Sequence, residues 1–175
     1  MNYDNSVSYY VGNDEASLKI DDNYEGNNVE VWLGGNDGNT YKNVKEINAK
    51  KYTGPSILVG NNANSVIRAS ESNSSLWGGA TGDDTLIDSD NYNEFFYLKD
   101  NSNDTYTNEN DIIKLCDISL EDISSADLEG LSINIKFADG GSLSTKAFGN
   151  VTFELSDGSK WQANTVRHKW KKFND

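Results

Sequence analysis

The side chains able to do chemistry are few and poorly placed for catalysis. His168 is the only histidine and lies in the basic run Arg167-His168-Lys169, so a Ser-His-Asp triad or a multi-histidine zinc site would have to be built around one terminal residue. Cys116 is the lone cysteine, which removes any intrachain disulfide or thiolate cluster. Its apolar setting, Ile112-Ile113-Lys114-Leu115-Cys116-Asp117-Ile118, predicts a buried, inert thiol. Adjacent carboxylates such as Asp21/Asp22 and Asp83/Asp84 can hydrolyse a glycosidic bond when held at the right separation, but a chain with 28 acids produces such pairs by chance. Gly34-Gly35 and Gly140-Gly141 read as turns, because no helix with a phosphate-binding lysine follows either. The expectation is a chain that is not an enzyme. Aromatic residues offer a different chemistry: Trp32, Trp77, Trp161 and Trp170, with Tyr9, Tyr10, Tyr92 and Tyr97, could form a platform for sugar rings, against the simpler reading that they pack the interior. Trp77 leads for exposure because it follows Leu76, which the pattern points inward.

The elements that must carry these residues are strands and turns. The 175 residues suffice for one structural unit; hydrophobic residues are 35% of the chain, yet aromatics reach 11%, which argues for a folded rather than a disordered chain. Abundant Gly, Asn, Asp and Ser with a single proline, Pro55, point to short strands joined by tight turns, an all-β class. The net charge of −13 repels nucleic acid and anionic membrane surfaces, so neither nucleic-acid binding nor membrane insertion is expected, and cations are the natural partners. No apolar run reaches the length of a membrane span, and Met1-Asn2-Tyr3-Asp4-Asn5 lacks the pattern of a signal peptide. Residues 167–175 form a basic tail (Arg167, Lys169, Lys171, Lys172) behind an acidic body.

A period runs through the middle of the chain. Leu58, Ile67, Leu76, Leu86 and Phe95 follow one another at intervals of 9, 9, 10 and 9 residues, with turn-forming residues between them. That spacing is too long for a helix face and fits a coil of short strand, turn, short strand, turn, with one apolar side chain of each strand pointing inward. Gly78-Gly79-Ala80-Thr81-Gly82-Asp83-Asp84-Thr85-Leu86-Ile87 resembles the nonapeptide G-G-x-G-x-D-x-U-x of the RTX, or hemolysin-type, family, with one extra residue before the third glycine. The copy Asp88 to Phe96 has lost every glycine and carries Asn93 at the aspartate position; Asp100 to Tyr106 keeps Asp104; Ser65 and Ser74 hold that position in the copies ending at Ile67 and Leu76.

This resemblance implies a right-handed parallel β-roll or β-solenoid in which aspartates and glycine carbonyls of stacked turns bind Ca²⁺. Carried onto this chain, the metal candidates are Asp84 and Asp104, the carbonyls of Gly79 and Gly82, and Asp100 or Asn101. It further implies a bacterial exoprotein, either an adhesin, a toxin or a surface protein, exported by a type I pathway and acting at the cell surface or beyond it. The organisation expected is strands and hairpins over 1–57, degenerate repeats over 58–107, capping antiparallel hairpins with one short helix over 108–166 (Leu120 to Leu128, capped by Asp117 or Ser119), then the basic tail. N-terminal strands are expected at Ser6 to Val11, Ala16 to Ile20 and Val29 to Leu33. Two roles follow: a structural, calcium-responsive part of a larger polypeptide, or a binding module for cell-surface carbohydrate or protein using exposed aromatics such as Trp77 and Tyr97.

Overall fold

The computed structural model describes residues 16–20, 29–33, 43–107 and 111–172. The expected strand Ser6 to Val11, the pair Asp21/Asp22, Tyr9, Tyr10 and the turn after Leu33 lie outside the described residues. Within them the chain is an all-β roll of two facing eight-stranded sheets.

Successive strands alternate between the sheets. β1 (Ala16–Lys19), β3 (Val44–Asn48), β5 (Val66–Arg68), β7 (Thr85–Ile87) and β9 (Asn103–Thr107) pair in parallel in one sheet. β2 (Val29–Trp32), β4 (Ser56–Val59), β6 (Ser74–Trp77), β8 (Asn93–Tyr97) and β10 (Ile112–Leu115) do the same in the other. One full coil therefore uses two of the nine-residue units, and register falls on the apolar positions: Leu58 opposite Leu76, Leu76 opposite Phe95 and Phe95 opposite Ile113 in one sheet. Ile47, Ile67, Leu86 and Tyr106 line up in the other. All of these side chains are fully buried between the sheets, because strand side chains alternate faces and only this register puts every rung inside.

At the C-terminal end each sheet changes from parallel coils to antiparallel hairpins. β13 (Ser142–Lys146) adds in parallel to β9, and β12 (Ser132–Phe137) and β11 (Ile123–Glu129) follow antiparallel. In the second sheet β14 (Asn150–Glu154) joins β10 in parallel, then β15 (Lys160–Asn164) and β16 (Lys169–Lys172) follow antiparallel.

Two expectations are corrected here. The helix Leu120 to Leu128 is a short 3-10 turn, Leu120–Asp122, followed by strand β11. Ser119 does cap that turn, in a reciprocal pairing with Asp122, but Ile123-Ser124-Ser125 are weak helix formers and the backbone bonds offered by β12 outweigh what an isolated short helix would gain. The basic end is not a free tail: Lys169–Lys172 form the outer strand, with Trp170 packed on Phe153 at 5.6 Å between ring centroids. Lysines on an outermost strand discourage further strand addition.

Candidate metal centre

The corners where the chain enters each strand carry the polar chemistry. Ser65, Asp84 and Asp104 each sit two residues before an inward rung (Ile67, Leu86, Tyr106), so the strand period turns their side chains inward as well. Ser56, Ser74, Asn93 and Asp111 do the same at the other corner, ahead of Leu58, Leu76, Phe95 and Ile113. All seven are buried. Their side chains knit the coils together: Ser65 N–H donates to Asp84 Oδ1 at 2.7 Å and Asp84 N–H to Asp104 Oδ1 at 2.9 Å. Across the roll Ser74 N–H donates to Asn93 Oδ1 at 2.9 Å and Asn93 N–H to Asp111 Oδ1 at 2.8 Å. Two ladders of side-chain-to-backbone bonds thus run along the roll axis, one at each corner.

The first ladder concentrates carboxylates in a dry place. Asp84 is 1% exposed, and its Oδ2 is buried without a hydrogen-bond partner. Burial pushes its carboxyl up to about 8; the Ser65 amide opposes the shift, while the charges of Asp104, Asp100 and Asp83 add to it. Burial likewise raises Asp104 to about 6, against the amide of Asp84 and with Asp100 adding to the rise. Asp104 is better partnered, sharing the Ser102 hydroxyl at 3.2 Å with Asp100 and the Tyr106 hydroxyl at 3.4 Å with the Phe96 carbonyl, which is nearer at 3.1 Å. Asp100 accepts from the Ser102 amide at 3.0 Å and from its hydroxyl, and Asn101 is in the left-handed region at φ 60°.

Gly79 and Gly82 serve the stacking. Both have positive φ, +140° and +105°, and a Cβ on them would lie 1.9 Å from the Asn61 carbonyl oxygen and 2.8 Å from the Ala63 carbonyl carbon. The 78–84 turn therefore rests backbone on backbone against the turn of the previous coil, which only glycine permits.

The donor set is suited to Ca²⁺. It is made of oxygens alone, which a hard cation prefers, and a cation displacing the Asp84 proton would meet Oδ2, a buried oxygen with no hydrogen-bond partner. Among the described residues no three His, Cys, Asp or Glu side chains gather as one group. A cation here would be held by at most two of the carboxylates Asp84, Asp104 and Asp100, with backbone carbonyls making up the rest of its oxygens.

No known protein family matches the sequence, and no curated protein matches it. Among solved structures the chain is similar to the extracellular lipase LipA from Serratia marcescens, at 16% identity and a TM-score of 0.28, over 83% of this chain and 18% of that one. The chain thus spans under a fifth of the lipase's length, and at that score neither its fold nor its activity transfers.

The remaining sequence candidates divide. Tyr97 is not an exposed aromatic: it is 1% exposed and stacks on Phe137 at 4.9 Å, because it stands two residues after Phe95 and shares its inward face. Trp77 does face outward but is half-buried, with its indole nitrogen buried and unpartnered. Trp32 is the exposed tryptophan, at 55%. Cys116 is exposed, contrary to expectation, since it follows inward Leu115; desolvation nonetheless raises its thiol above the ordinary value, the opposite of activation. His168 lies exposed in the turn before β16. Asp111 and Asp88 were not singled out by sequence reasoning. Burial first, then neighbouring Asp88, push the Asp111 carboxyl up to about 8. Its signal was legible as Asp111-Ile112-Ile113, the aspartate-x-apolar end of another repeat copy.

Proposed function

We propose that this chain is a non-catalytic, calcium-responsive structural segment of a larger secreted or surface-attached bacterial protein, akin to the RTX repeats its turns resemble. The observation that carries this reading is the stacked pair Asp84 and Asp104, buried on successive coils with one carboxylate oxygen left without a partner. Outside the cell, millimolar Ca²⁺ would neutralise carboxylates that otherwise repel one another in a dry corner. Asp84 and Asp104 are the side chains that would hold it, with Asp100 adding charge beside them, and the apolar rungs supply the remaining cohesion. The non-catalytic reading rests on the exposed placement of His168 and the unactivated Cys116 thiol. The rest of the parent polypeptide is the expected partner.

The test is a thermal melt followed by circular dichroism in EDTA and in about 5 mM CaCl₂, a level suited to weak extracellular sites. A higher melting temperature in calcium supports the reading; coincident melts sink it.

A second reading, a module that binds cell-surface carbohydrate or protein, draws on one observation. Trp32, Val59, Trp77 and Phe96 occupy matching positions on adjacent strands β2, β4, β6 and β8, with Trp32 exposed, Trp77 and Phe96 half-buried and Val59 buried. Loss of glycan-array binding on Trp32→Ala, with the melt unchanged, would favour this reading over the first.

A further inference from the structure

In three of the described turns the residue at the end closes the turn with its own side chain. Ser65 Oγ donates to the Ala63 carbonyl at 3.0 Å, Ser74 Oγ to the Ser72 carbonyl at 3.3 Å, and Asn93 Nδ2 to the Asn91 carbonyl at 2.6 Å. In each case the donor reaches the carbonyl two residues back. At Asn93 the closure goes further, because Nδ2 also meets Asp88 Oδ1 at 2.5 Å and Ser89 Oγ at 3.3 Å. One amide nitrogen, carrying two protons and a partial positive charge, stands inside a cage of three oxygens. That is the environment a small cation would otherwise seek.

Asp84 holds the same position in the 78–84 turn, yet no bond from its side chain to the Gly82 carbonyl closes that turn. Its Oδ1 is taken by the Ser65 amide and its Oδ2 is buried with no partner, in a residue 1% exposed. Asp104 escapes this difficulty because the hydroxyls of Ser102 and Tyr106 donate to it. Asp111 Oδ2 is likewise buried without a partner, but the turn it ends contains residues 108–110, outside the described residues.

We infer that the side chain at this position decides, turn by turn, whether the roll needs a cation. Ser65, Ser74 and Asn93 make their turns self-sufficient, Asn93 by standing where an ion would stand, and among the described turns the one ended by Asp84 takes the divalent cation. This rests on the calcium-responsive reading above and goes beyond it by assigning the dependence to one turn and naming an internal substitute at another.

Two substitutions in the whole chain, Asp84→Asn and Asn93→Asp, test it by melts in EDTA and in CaCl₂. Asp84→Asn should melt at the same temperature in both, above wild type in EDTA, because the new amide can close the turn. Asn93→Asp should lose stability in EDTA and regain it in calcium, widening the calcium shift beyond that of wild type by roughly 5–10 °C. A full calcium shift in Asp84→Asn, or an unchanged shift in Asn93→Asp, overturns the inference. An Asn93→Asp chain that fails to fold even in calcium also counts against it, provided Asn93→Ser, which restores a donor of the kind Ser65 and Ser74 supply, folds and stays indifferent to calcium. Wild type that ignores calcium while Asn93→Asp responds would sink the calcium reading but keep the role of Asn93; silence in both sinks the two together.

Discussion

The backbone N–H of Asp84 donates to Asp104 Oδ1 at 2.9 Å, joining residues 20 positions apart in the chain. A carboxylate on one coil therefore holds the backbone of the coil before it. The stacking register is carried by side chains at the corners as well as by strand pairing along the sheets.

Asp104→Ala removes the acceptor and strands the buried Asp84 amide. The expected cost is about 1–3 kcal/mol, read from urea unfolding. Asp104→Asn keeps an acceptor in place and should cost less. Equal losses for the two variants would show that charge, not the hydrogen bond, is what matters at this corner.

Cation-free protein should lose stability as pH rises. Burial raises Asp84 and Asp111 to about 8 and Asp104 to about 6, well above the ordinary aspartate range. Between these limits the folded chain binds more protons than the unfolded chain, so the slope of unfolding free energy with pH is negative. The contribution is fully present below pH about 4 and is lost as pH climbs through 6 to 8. Melts in EDTA at pH 5 and pH 8 should place the higher midpoint at pH 5, and the reverse order would contradict the burial of these carboxylates.

Leu76 is the rung between Leu58 and Phe95 and is fully buried. Leu76→Ala should cost about 2–5 kcal/mol by leaving a cavity between the sheets. Ile57, one residue before Leu58 and 36% exposed, is the control: Ile57→Ala should cost well under half as much in the same denaturant titration.

Gly79 and Gly140 separate steric from conformational demand. Both have positive φ, but a Cβ at Gly79 would lie 1.9 Å from the Asn61 carbonyl oxygen, whereas at Gly140 nothing stands within 4 Å. Gly140→Ala should cost about 1 kcal/mol from backbone strain alone. Gly79→Ala adds a collision with the previous coil's backbone and should be several-fold worse in a parallel denaturation series.

How much of this was legible follows from the range of each interaction. The rungs Leu58, Ile67, Leu76, Leu86 and Phe95 announced themselves because a coil repeats its inward position at a fixed interval, and all five are fully buried. Asp84 and Asp104 stood out through the glycine-aspartate turn. Tyr97 was misread because its inward face depends on counting the strand period from Phe95. The helix expected over Leu120 to Leu128 failed because local propensity there is weak and β12 supplies a partner from beyond the turn at Gly130. The donors that close each turn were not visible either, since nothing in the order of residues says which carbonyl a serine or asparagine will reach.

The sequence alone determined that the chain coils, since a nine-residue apolar period with Gly, Asn, Asp and Ser between its members has few ways to bury its rungs. It also determined where carboxylates enter the turns. Tertiary structure alone decided which carboxylate oxygens are buried without a partner, Asp84 Oδ2 and Asp111 Oδ2. Within one coil Asp104 meets the hydroxyls of Ser102 and Tyr106 and the Asn93 amide fills its own corner, while the stacking of coils ties Asp84 Oδ1 to the Ser65 amide and buries Asp84 Oδ2 without a partner. Hydrogen bonding acts over about 3 Å, and only folding sets which atoms of residues twenty apart come that close.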